Sequence, residues 1–200
     1  MKKIGIVIRS FQENDKCFVG CRKDVMDAFL NYPVQIVLIP IDLSWKQILF
    51  LVQLCDGVVL TGGDHFTHND FLIVQYLYQN DIPTLGICLG MQVMALSFGV
   101  GQEIDVSFHN KKDNGMHPII IKEKTVLRQI VHHECILVNS RHKTAISSTD
   151  LVISAVSQDG VIEAVEDARK RFFLGGEWHP ESFNNKNSDL IFEAFIKSLY

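Results

Sequence analysis

The chain has 200 residues, of which 47% are hydrophobic and 21% are charged, and its formal net charge is −4. This length and apolar content predict a single globular domain over residues 1–200, with a sizeable core. No basic tract suggests nucleic acid as a partner, and no apolar stretch reaches the roughly 18 to 20 uncharged residues that a membrane span needs. Five cysteines, an odd number without a disulfide pattern, predict a reducing, cytoplasmic setting.

Short apolar runs alternate with amphipathic stretches in the first half of the chain. Their periodicity predicts strands at 4–9, 34–40, 56–63 and 83–87, and helices at 16–31, 44–54, 67–80 and 89–98, with Ser44 as an N-cap. Near-continuous apolar strands that alternate with helices indicate a parallel sheet covered on both faces.

The second half of the chain changes character. Five strand-like runs follow one another with short turns between them: MHPIIIK, CILVN, LVISAV, GVIEAVE and FFLGGEW. Residues 188–199 then form an amphipathic stretch that predicts a closing helix. The predicted fold class is therefore α/β, with a mostly parallel sheet and a β-rich C-terminal extension.

The segment Gly86-Ile87-Cys88-Leu89-Gly90 lies where a predicted strand becomes a helix. Its glycines permit a sharp turn that lifts Cys88 off the end of the sheet, as in a nucleophile elbow. The following helix N-terminus is expected to lower the thiol pKa, and the Leu89 amide is expected to point at the site of attack. A second amide from the loop 61–63 would complete an oxyanion hole. A buried cysteine in a tight structural turn remains an equal interpretation of this motif alone.

A thiol nucleophile needs a base, and His179 in GGEWHPE (175–181) is the best candidate among eight histidines. Alternate residues of an extended segment face the same way, so Glu181 is expected to contact His179. The predicted relay has Cys88 attacking, His179 moving the proton and Glu181 orienting the imidazole.

Two groups of residues have the chemistry of metal ligands. Cys17 and Cys21 lie four residues apart on the predicted helix 16–31, but no second pair follows. His65 and His68, with the two aspartates of GDHFTHND, are better explained as loop and helix-start residues. No convincing ligand set emerges, and we predict neither a metal nor an organic cofactor.

The other histidines differ in their settings. His132 and His133 look like surface residues, and His109 and His117 flank a polar loop. His142 is more interesting, because its segment VNSRHKT follows a buried-looking strand and is dense in hydrogen-bonding groups.

Three segments together, GVVLTGGD (57–64), PTLGICLGMQ (83–92) and GGEWHPE (175–181), resemble the class I glutamine amidotransferase family in order and spacing. The resemblance covers nearly the whole chain. The start IGIVIR, the segment VNSRH and the run DGVIEAVE are similar to the γ-glutamyl hydrolase branch, peptidase C26. The resemblance implies a flavodoxin-like α/β sheet.

The resemblance also implies roles for particular residues. It implies a catalytic triad of Cys88, His179 and Glu181. It also implies oxyanion donors at the backbone amides of Leu89 and Gly63, with Gly62 as a further candidate. It implies that the α-amino and α-carboxylate groups of a γ-glutamyl substrate are held by Gln92 and by the backbone and side chains of Asn139, Ser140, Arg141 and His142. The implied reaction releases ammonia or an amine, and then glutamate from a thioester, without a cofactor.

Two departures leave the substrate open. Leu89 stands where the hydrolases commonly carry arginine, and the chain is shorter than most of that branch. One interpretation is therefore a free-standing γ-glutamyl hydrolase that acts on a small molecule. A second is a glutaminase subunit that supplies ammonia to a separate synthase partner. A third is a non-catalytic binding module, which the intact triad residues argue against.

The leaving group is a further expectation. Length and overall character are similar to those of a small relative that removes glutamate from γ-glutamyl-CDP-amidate during capsule phosphoramidate synthesis. Lys111, Lys112 and Lys143 are available to a nucleotide, although solvated lysines need no ligand. Polyamine-derived or folate-type γ-glutamyl amides are the rival substrates.

Overall fold

The computed structural model describes residues 1–109 and 115–200. The strands are β1 (Lys2–Glu13), β2 (Lys16–Gly20), β3 (Val34–Pro40), β4 (Gly57–Leu60), β5 (Thr84–Ile87), β6 (Glu103–Asp105), β7 (Met116–Ile121), β8 (Cys135–Asn139), β9 (Thr144–Ile146), β10 (Val152–Ser157), β11 (Ile162–Glu166) and β12 (Phe173–Gly176). The helices are α1 (Lys23–Asp27), α2 (Trp45–Gln53), α3 (His68–Gln79), α4 (Leu89–Leu96), α5 (Val126–Val131) and α6 (Lys186–Lys197).

One mixed sheet organises the described part of the chain. Its central strands β3, β1, β4, β5 and β12 are parallel neighbours. The sheet continues from β12 through β11, β10, β7 and β8, all paired antiparallel. This is the predicted α/β fold of flavodoxin-like type, with a parallel centre and a β-rich extension.

Two apolar layers cover the parallel strands, one on each face. One layer packs Phe29, just after α1, against Phe192 and Phe195 of α6. The other layer buries α2, α3 and α4 against the opposite face, through residues such as Ile48 and Leu77. Strands buried on both faces explain why β4 and β5 have no polar alternation in their sequences.

The predicted helix at 16–31 is wrong. Residues 16–20 are β2, which pairs antiparallel with the far end of β1, and only the five residues of α1 are helical. The hairpin turn consists of Asn14 and Asp15, both with positive φ (49° and 59°). Asn and Asp tolerate that conformation, and two such residues in succession make a tight hairpin turn. Cys17 is consequently on an exposed strand and not on a helix.

The remaining first-half elements lie within a few residues of their predicted bounds. Ser44 is the N-cap of α2, and its amide donates to Gln47 Oε1 at 3.2 Å. The short elements α5, β6 and β9 were not predicted, because six or fewer residues show no clear period. The start of α5 is fixed from a distance by Glu166, which accepts from the Val126 and Leu127 amides.

Among the described residues, no helix combines the length and the apolar character needed to cross a membrane.

Candidate active site

Three neighbouring parallel strands, β4, β5 and β12, end at the same edge of the sheet, and the predicted site residues follow them. Strand β5 lies between β4 and β12, with Gly86 beside Leu60 on one side and Ile87 beside Gly176 on the other. The carboxyl ends of these three strands are therefore adjacent. They lead into the loop 61–63, Cys88 and the segment 177–181, respectively. Ligands of open α/β sheets bind in this position.

Cys88 occupies a strained turn between β5 and α4. Its φ is 51° and its ψ is −111°, a conformation that non-glycine residues rarely adopt. The Cys88 amide donates to the Gly176 carbonyl at 2.8 Å, which fixes the turn to β12. Gly90 permits the turn, because a Cβ there would lie 2.2 Å from the Leu60 carbonyl oxygen.

Cys88 is only 8% exposed, and the pKa of its thiol is raised well above the usual value. Burial is the main cause, and the nearby charge of Glu177 adds to it, while a hydrogen bond from the Leu89 amide acts in the opposite direction. The expectation that the helix N-terminus lowers the pKa is therefore wrong for this geometry, because desolvation outweighs it. The Leu89 amide does point at the sulfur.

His179 is fixed from two sides. Its Nδ1 lies 2.7 Å from Glu181 Oε1, the contact expected from the sequence, although a 3-10 turn over Pro180–Ser182 and not an extended segment brings the two together. Its backbone is held by Asn139, whose Nδ2 donates to the His179 carbonyl at 2.9 Å and whose Oδ1 accepts from the His179 amide at 2.8 Å. With Nδ1 donating to Glu181, Nε2 is the nitrogen with a lone pair.

The loop 61–63 packs tightly against the same side chains. A Cβ at Gly62 would lie 3.0 Å from His179 Cε1 and 3.6 Å from Cys88 Cβ. A Cβ at Gly63 would lie 2.5 Å from Arg9 Cδ. A side chain at Gly63 would therefore displace Arg9, and one at Gly62 would press against the His179 ring.

Arg9 is a residue that sequence analysis missed. Its guanidinium forms two hydrogen bonds to Asp70, of 3.1 and 2.7 Å, and it underlies the loop 61–63. Both side chains are buried, and Asp70 also accepts from the Thr67 amide at the start of α3. A charged residue at the end of an apolar strand was the available signal.

Two cavities meet at Cys88. The larger, of about 620 Å³, contains Gln92, His142 and Lys143 in its wall. The smaller, of about 260 Å³, contains His179 and Glu181. Both cavities are also lined by Gly63, Asp64, Cys88 and Arg141.

The structure separates the residues expected to bind substrate into two groups. Asn139 and Ser140 are buried and hold backbone, the first at His179 and the second through a hydrogen bond to the His109 carbonyl. These two side chains are therefore engaged within the protein, and substrate contacts through the backbone of this segment stay a prediction. Arg141 and His142 line the larger cavity, and Arg141 Nη1 also donates to Ser182 Oγ at 2.9 Å.

Gln92 lines the larger cavity as well, but its amide nitrogen is already engaged. It donates to Glu177 Oε1 at 2.6 Å and to the Thr144 carbonyl at 3.0 Å. Glu177 is fully buried, and its pKa is raised well above the usual value by burial and by the charge of Glu163. Sequence analysis missed Glu163 and Glu177. The first lies within the apolar strand β11, and the second directly follows the apolar strand β12.

The histidines are distributed differently from the sequence expectation. His132 and His133 are exposed, as predicted. His109 and His117 do not simply flank a polar loop, because their rings turn inward and meet His142 and Glu163. The described residues thus contain a set of metal-ligand type that the sequence did not reveal. Burial lowers the pKa of His142 to about 4.

His65 and His68, which the sequence analysis explains better as loop and helix-start residues than as metal ligands, do not converge with Asp70. His65 and His68 are exposed, and Asp70 is engaged by Arg9. Lys143 is exposed at the larger cavity, while Lys111 and Lys112 lie outside the described residues.

Comparison with known proteins places this geometry in a family. The model of the family Peptidase C26 matches residues 4–181. A glutamine amidotransferase-like protein of Rickettsia prowazekii is 28% identical, over 80% of this chain and 83% of its own length. The CTP synthase of Lactiplantibacillus plantarum is 25% identical over 78% of this chain, but the match spans only 36% of that protein.

Solved structures share the fold at low identity. A GMP synthase subunit from Thermoplasma acidophilum superimposes with a TM-score of 0.76 at 20% identity, over 100% of this chain and 94% of its own. The glutaminase domain of Trypanosoma brucei CTP synthase with bound acivicin gives 0.73 at 19% identity, over 98% and 94%. Since the family model matches nearly the whole sequence, the chain belongs to the Peptidase C26 family.

Proposed function

We propose that this chain is a cysteine-dependent hydrolase of γ-glutamyl amides, with Cys88, His179 and Glu181 as its catalytic triad. The observation that carries the proposal is the strained Cys88 turn, at which the Leu89 amide faces the sulfur beside the His179–Glu181 pair. A purely structural cysteine has no need of an amide donor and an oriented imidazole at the same point.

The proposed reaction begins from a neutral thiol. His179 Nε2 takes the Cys88 proton as the sulfur attacks the γ-carbonyl carbon, and the amides of Leu89 and Gly63 stabilise the oxyanion. The C–N bond then breaks, His179 returns the proton to the leaving amine, and a γ-glutamyl thioester remains. Water, deprotonated by His179, attacks the thioester, and glutamate leaves as the thiol is restored.

The raised thiol pKa fits this order of events. Thiolate formation is coupled to attack when the thiol is neutral at rest, so the imidazole must act in the same step. Glu181 then stabilises the imidazolium that forms, as the third member of a triad does.

Substrate groups find complementary charges in the larger cavity. Arg141 is the proposed partner of the α-carboxylate, because its guanidinium offers paired donors to a carboxylate. Asp64 and Glu103 line the same cavity and suit the α-ammonium group. A volume of about 620 Å³ lies within the roughly 300–1,000 Å³ of sites for drug-sized ligands, so it leaves room beyond a glutamyl group.

γ-Glutamyl-CDP-amidate is the substrate candidate that we carry forward. Lys143, beside Arg141 and His65 at this cavity, gives it cationic and hydrogen-bonding groups suited to a diphosphate. A polyamine-derived amide would instead rely on the two acidic side chains of the same wall.

A glutaminase subunit that feeds ammonia to a separate synthase is the second candidate. The similarity to CTP synthases and to a GMP synthase subunit supports it, as does Leu89 after the nucleophile. In this case the chain requires a partner protein, and the larger cavity takes glutamine alone.

Glutamate release from a panel of amides tests both candidates. The panel contains glutamine, γ-glutamyl-GABA, a γ-glutamyl peptide and γ-glutamyl-CDP-amidate, each with wild type and Cys88→Ser. We expect one amide to exceed glutamine in kcat/KM by at least about tenfold, equivalent to 1.4 kcal/mol of transition-state binding.

The Cys88→Ser variant is expected to lose activity on every amide while keeping the wild-type melting temperature. Full activity in that variant would refute the nucleophile assignment. Weak release from glutamine alone, raised many-fold by a synthase chain, would favour the second candidate.

A further inference from the structure

Four side chains, three of them buried and His117 partly exposed, converge next to the active site but take no part in the proposed reaction. His109, His117, His142 and Glu163 each direct one ligand atom to a common point, and these atoms all lie within 4.8 Å of one another. Glu163 Oε1 lies 3.5 Å from His109 Nδ1, 3.5 Å from His117 Nε2 and 3.8 Å from His142 Nε2.

Hydrogen bonds on the far side of two rings fix which nitrogen has the lone pair. His109 Nε2 lies 3.0 Å from Asp159 Oδ2, and His142 Nδ1 lies 3.0 Å from the Thr144 carbonyl. Both outer nitrogens therefore carry the hydrogen, and the inner nitrogens present lone pairs to the Glu163 carboxylate. In these tautomers the two inner nitrogens and the carboxylate oxygen repel one another, and a metal ion held between them would bind all three.

Neither inner nitrogen has another partner. His109 Nδ1, His142 Nε2 and both oxygens of Glu163 are buried and make no hydrogen bond to the described residues. The side chains of His142 and Glu163 are 1% and 0% exposed. Buried polar atoms are almost always satisfied in folded proteins, so several of them converging on one point mark a ligand.

We propose that His109, His117, His142 and Glu163 form a structural binding site for a divalent transition-metal ion of the zinc class. Ligand bonds of roughly 2.0–2.2 Å in a tetrahedron place the ligand atoms about 3.3–3.6 Å apart, close to the three separations from Glu163 Oε1. Three imidazoles and one carboxylate suit zinc better than magnesium or calcium, which prefer oxygen ligands.

The outer contacts match those of known metal sites. The Asp159–His109 pair orients the ring as a carboxylate does behind a metal-bound histidine, and the Thr144 carbonyl does the same for His142. A dication would also compensate for the cost of ionising the buried Glu163, whose printed ion-pair partners are all histidines.

The position indicates a structural role. Four protein ligands close the coordination sphere, whereas catalytic zinc sites keep a position open. The ligands join β7, β11 and the segment just after β8, which begins next to Asn139 and contains Arg141. A metal there would hold Asn139, which fixes the His179 backbone, and the adjoining wall of the larger cavity in place.

An entry route is present as well. A cavity of about 200 Å³ reaches His109 and His117 from the side of Phe108 and Asp159, and Cys88 does not line it. The metal site therefore has a route of its own on the side of His109 and His117, although His142 also lines the larger substrate cavity.

Metal content of the purified protein is the first test. Untagged wild type, purified without chelator and dialysed, is expected to carry about one equivalent of zinc by mass spectrometry of the digested protein. His117→Ala is expected to retain less than roughly a tenth of that. The matched control His133→Ala, which removes an exposed imidazole, is expected to match wild type.

A second measurement needs no variant and so does not depend on a variant's folding. Wild type is stripped with a chelator and titrated with Zn²⁺, and its melting temperature is expected to rise with the metal. Co²⁺ in place of zinc is expected to give the intense visible bands of tetrahedral coordination. A stripped wild type that binds neither ion, or binds them as weakly as His117→Ala, would overturn the proposal.

These readouts are independent of the proposed hydrolase function. Metal binding does not involve Cys88, so Cys88→Ser is expected to carry zinc as wild type does, whatever its activity.

Discussion

The imidazole of His179 is held by its ring at Glu181 and by its backbone at Asn139. The two hydrogen bonds from Asn139 to the His179 backbone do not depend on Glu181. Glu181→Gln should therefore leave the ring near Cys88 but without a negative charge to stabilise the imidazolium. We expect Glu181→Gln to retain roughly 10- to 100-fold more activity than His179→Ala, since an orienting group contributes less than the base it orients. Steady-state kcat for the preferred amide measures the difference.

The control for this comparison is the melting temperature of each variant, which should stay near wild type. Equal and complete loss of turnover in the two folded variants would mean that Glu181 takes a direct part in the chemistry.

At the scale of elements, the turn between β5 and α4 depends on the close approach of α4 to β4. A Cβ at Gly90 would lie 2.2 Å from the Leu60 carbonyl oxygen and 2.7 Å from Leu60 Cβ, and backbone cannot move aside as a flexible side chain does. We expect Gly90→Ala to lower the free energy of unfolding by about 1–3 kcal/mol, as overpacking does, and to lower activity by displacing Cys88.

Gly20→Ala is the matched control for this prediction. Its added Cβ would lie 3.5 Å from Phe11 Cε1, an ordinary contact at the exposed hairpin. Urea unfolding and glutamate release, measured on both variants, check the prediction. A Gly90→Ala variant as stable and as active as Gly20→Ala would contradict it.

At the scale of the whole molecule, Asp167 joins α3 to the turn between β11 and β12. It accepts from Tyr78 Oη at 2.7 Å and from Arg169 Nη2 at 2.7 Å. Hydrogen bonding to Arg169 is the main reason that its pKa lies well below the usual range. A depressed carboxyl pKa contributes stability above the unfolded value of about 3.9, and this stability is lost as the pH falls below it.

Asp167→Asn is therefore expected to be less stable than wild type at pH 7, with the difference shrinking below about pH 4. The magnitude should be on the order of 1 kcal/mol at pH 7, because solvent screens the exposed Arg169 side chain. Melting temperatures at pH 7 and pH 3 measure it, with the exposed Glu123→Gln as control. A difference that grows at low pH would contradict the assignment.

The sequence alone determined the elements whose patterns are local. The apolar runs of β3, β4 and β5 predicted a parallel sheet, the glycines around Cys88 predicted a sharp turn, and the spacing of His179 and Glu181 predicted their contact. Each of these features depends on residues within about one element of one another, so periodicity and turn chemistry are enough to reveal them.

Local patterns also misled in one place. The run 16–31 has apolar residues at helical spacing, yet Asn14 and Asp15 fold it back on β1 as a hairpin. The gain in sheet pairing with β1 outweighs a helical preference, which is worth only tenths of a kcal/mol per residue.

Only the tertiary structure decided how side chains far apart in the chain are used. His109, His142 and Glu163 come from three separate segments, and their meeting depends on the antiparallel register of β7, β8, β10 and β11. The pKa of Cys88 likewise follows from burial beside Glu177 and not from its helix N-terminus. The desolvation of a thiol and the meeting of distant side chains both depend on three-dimensional packing. The spacing of residues along the chain does not reveal either of them.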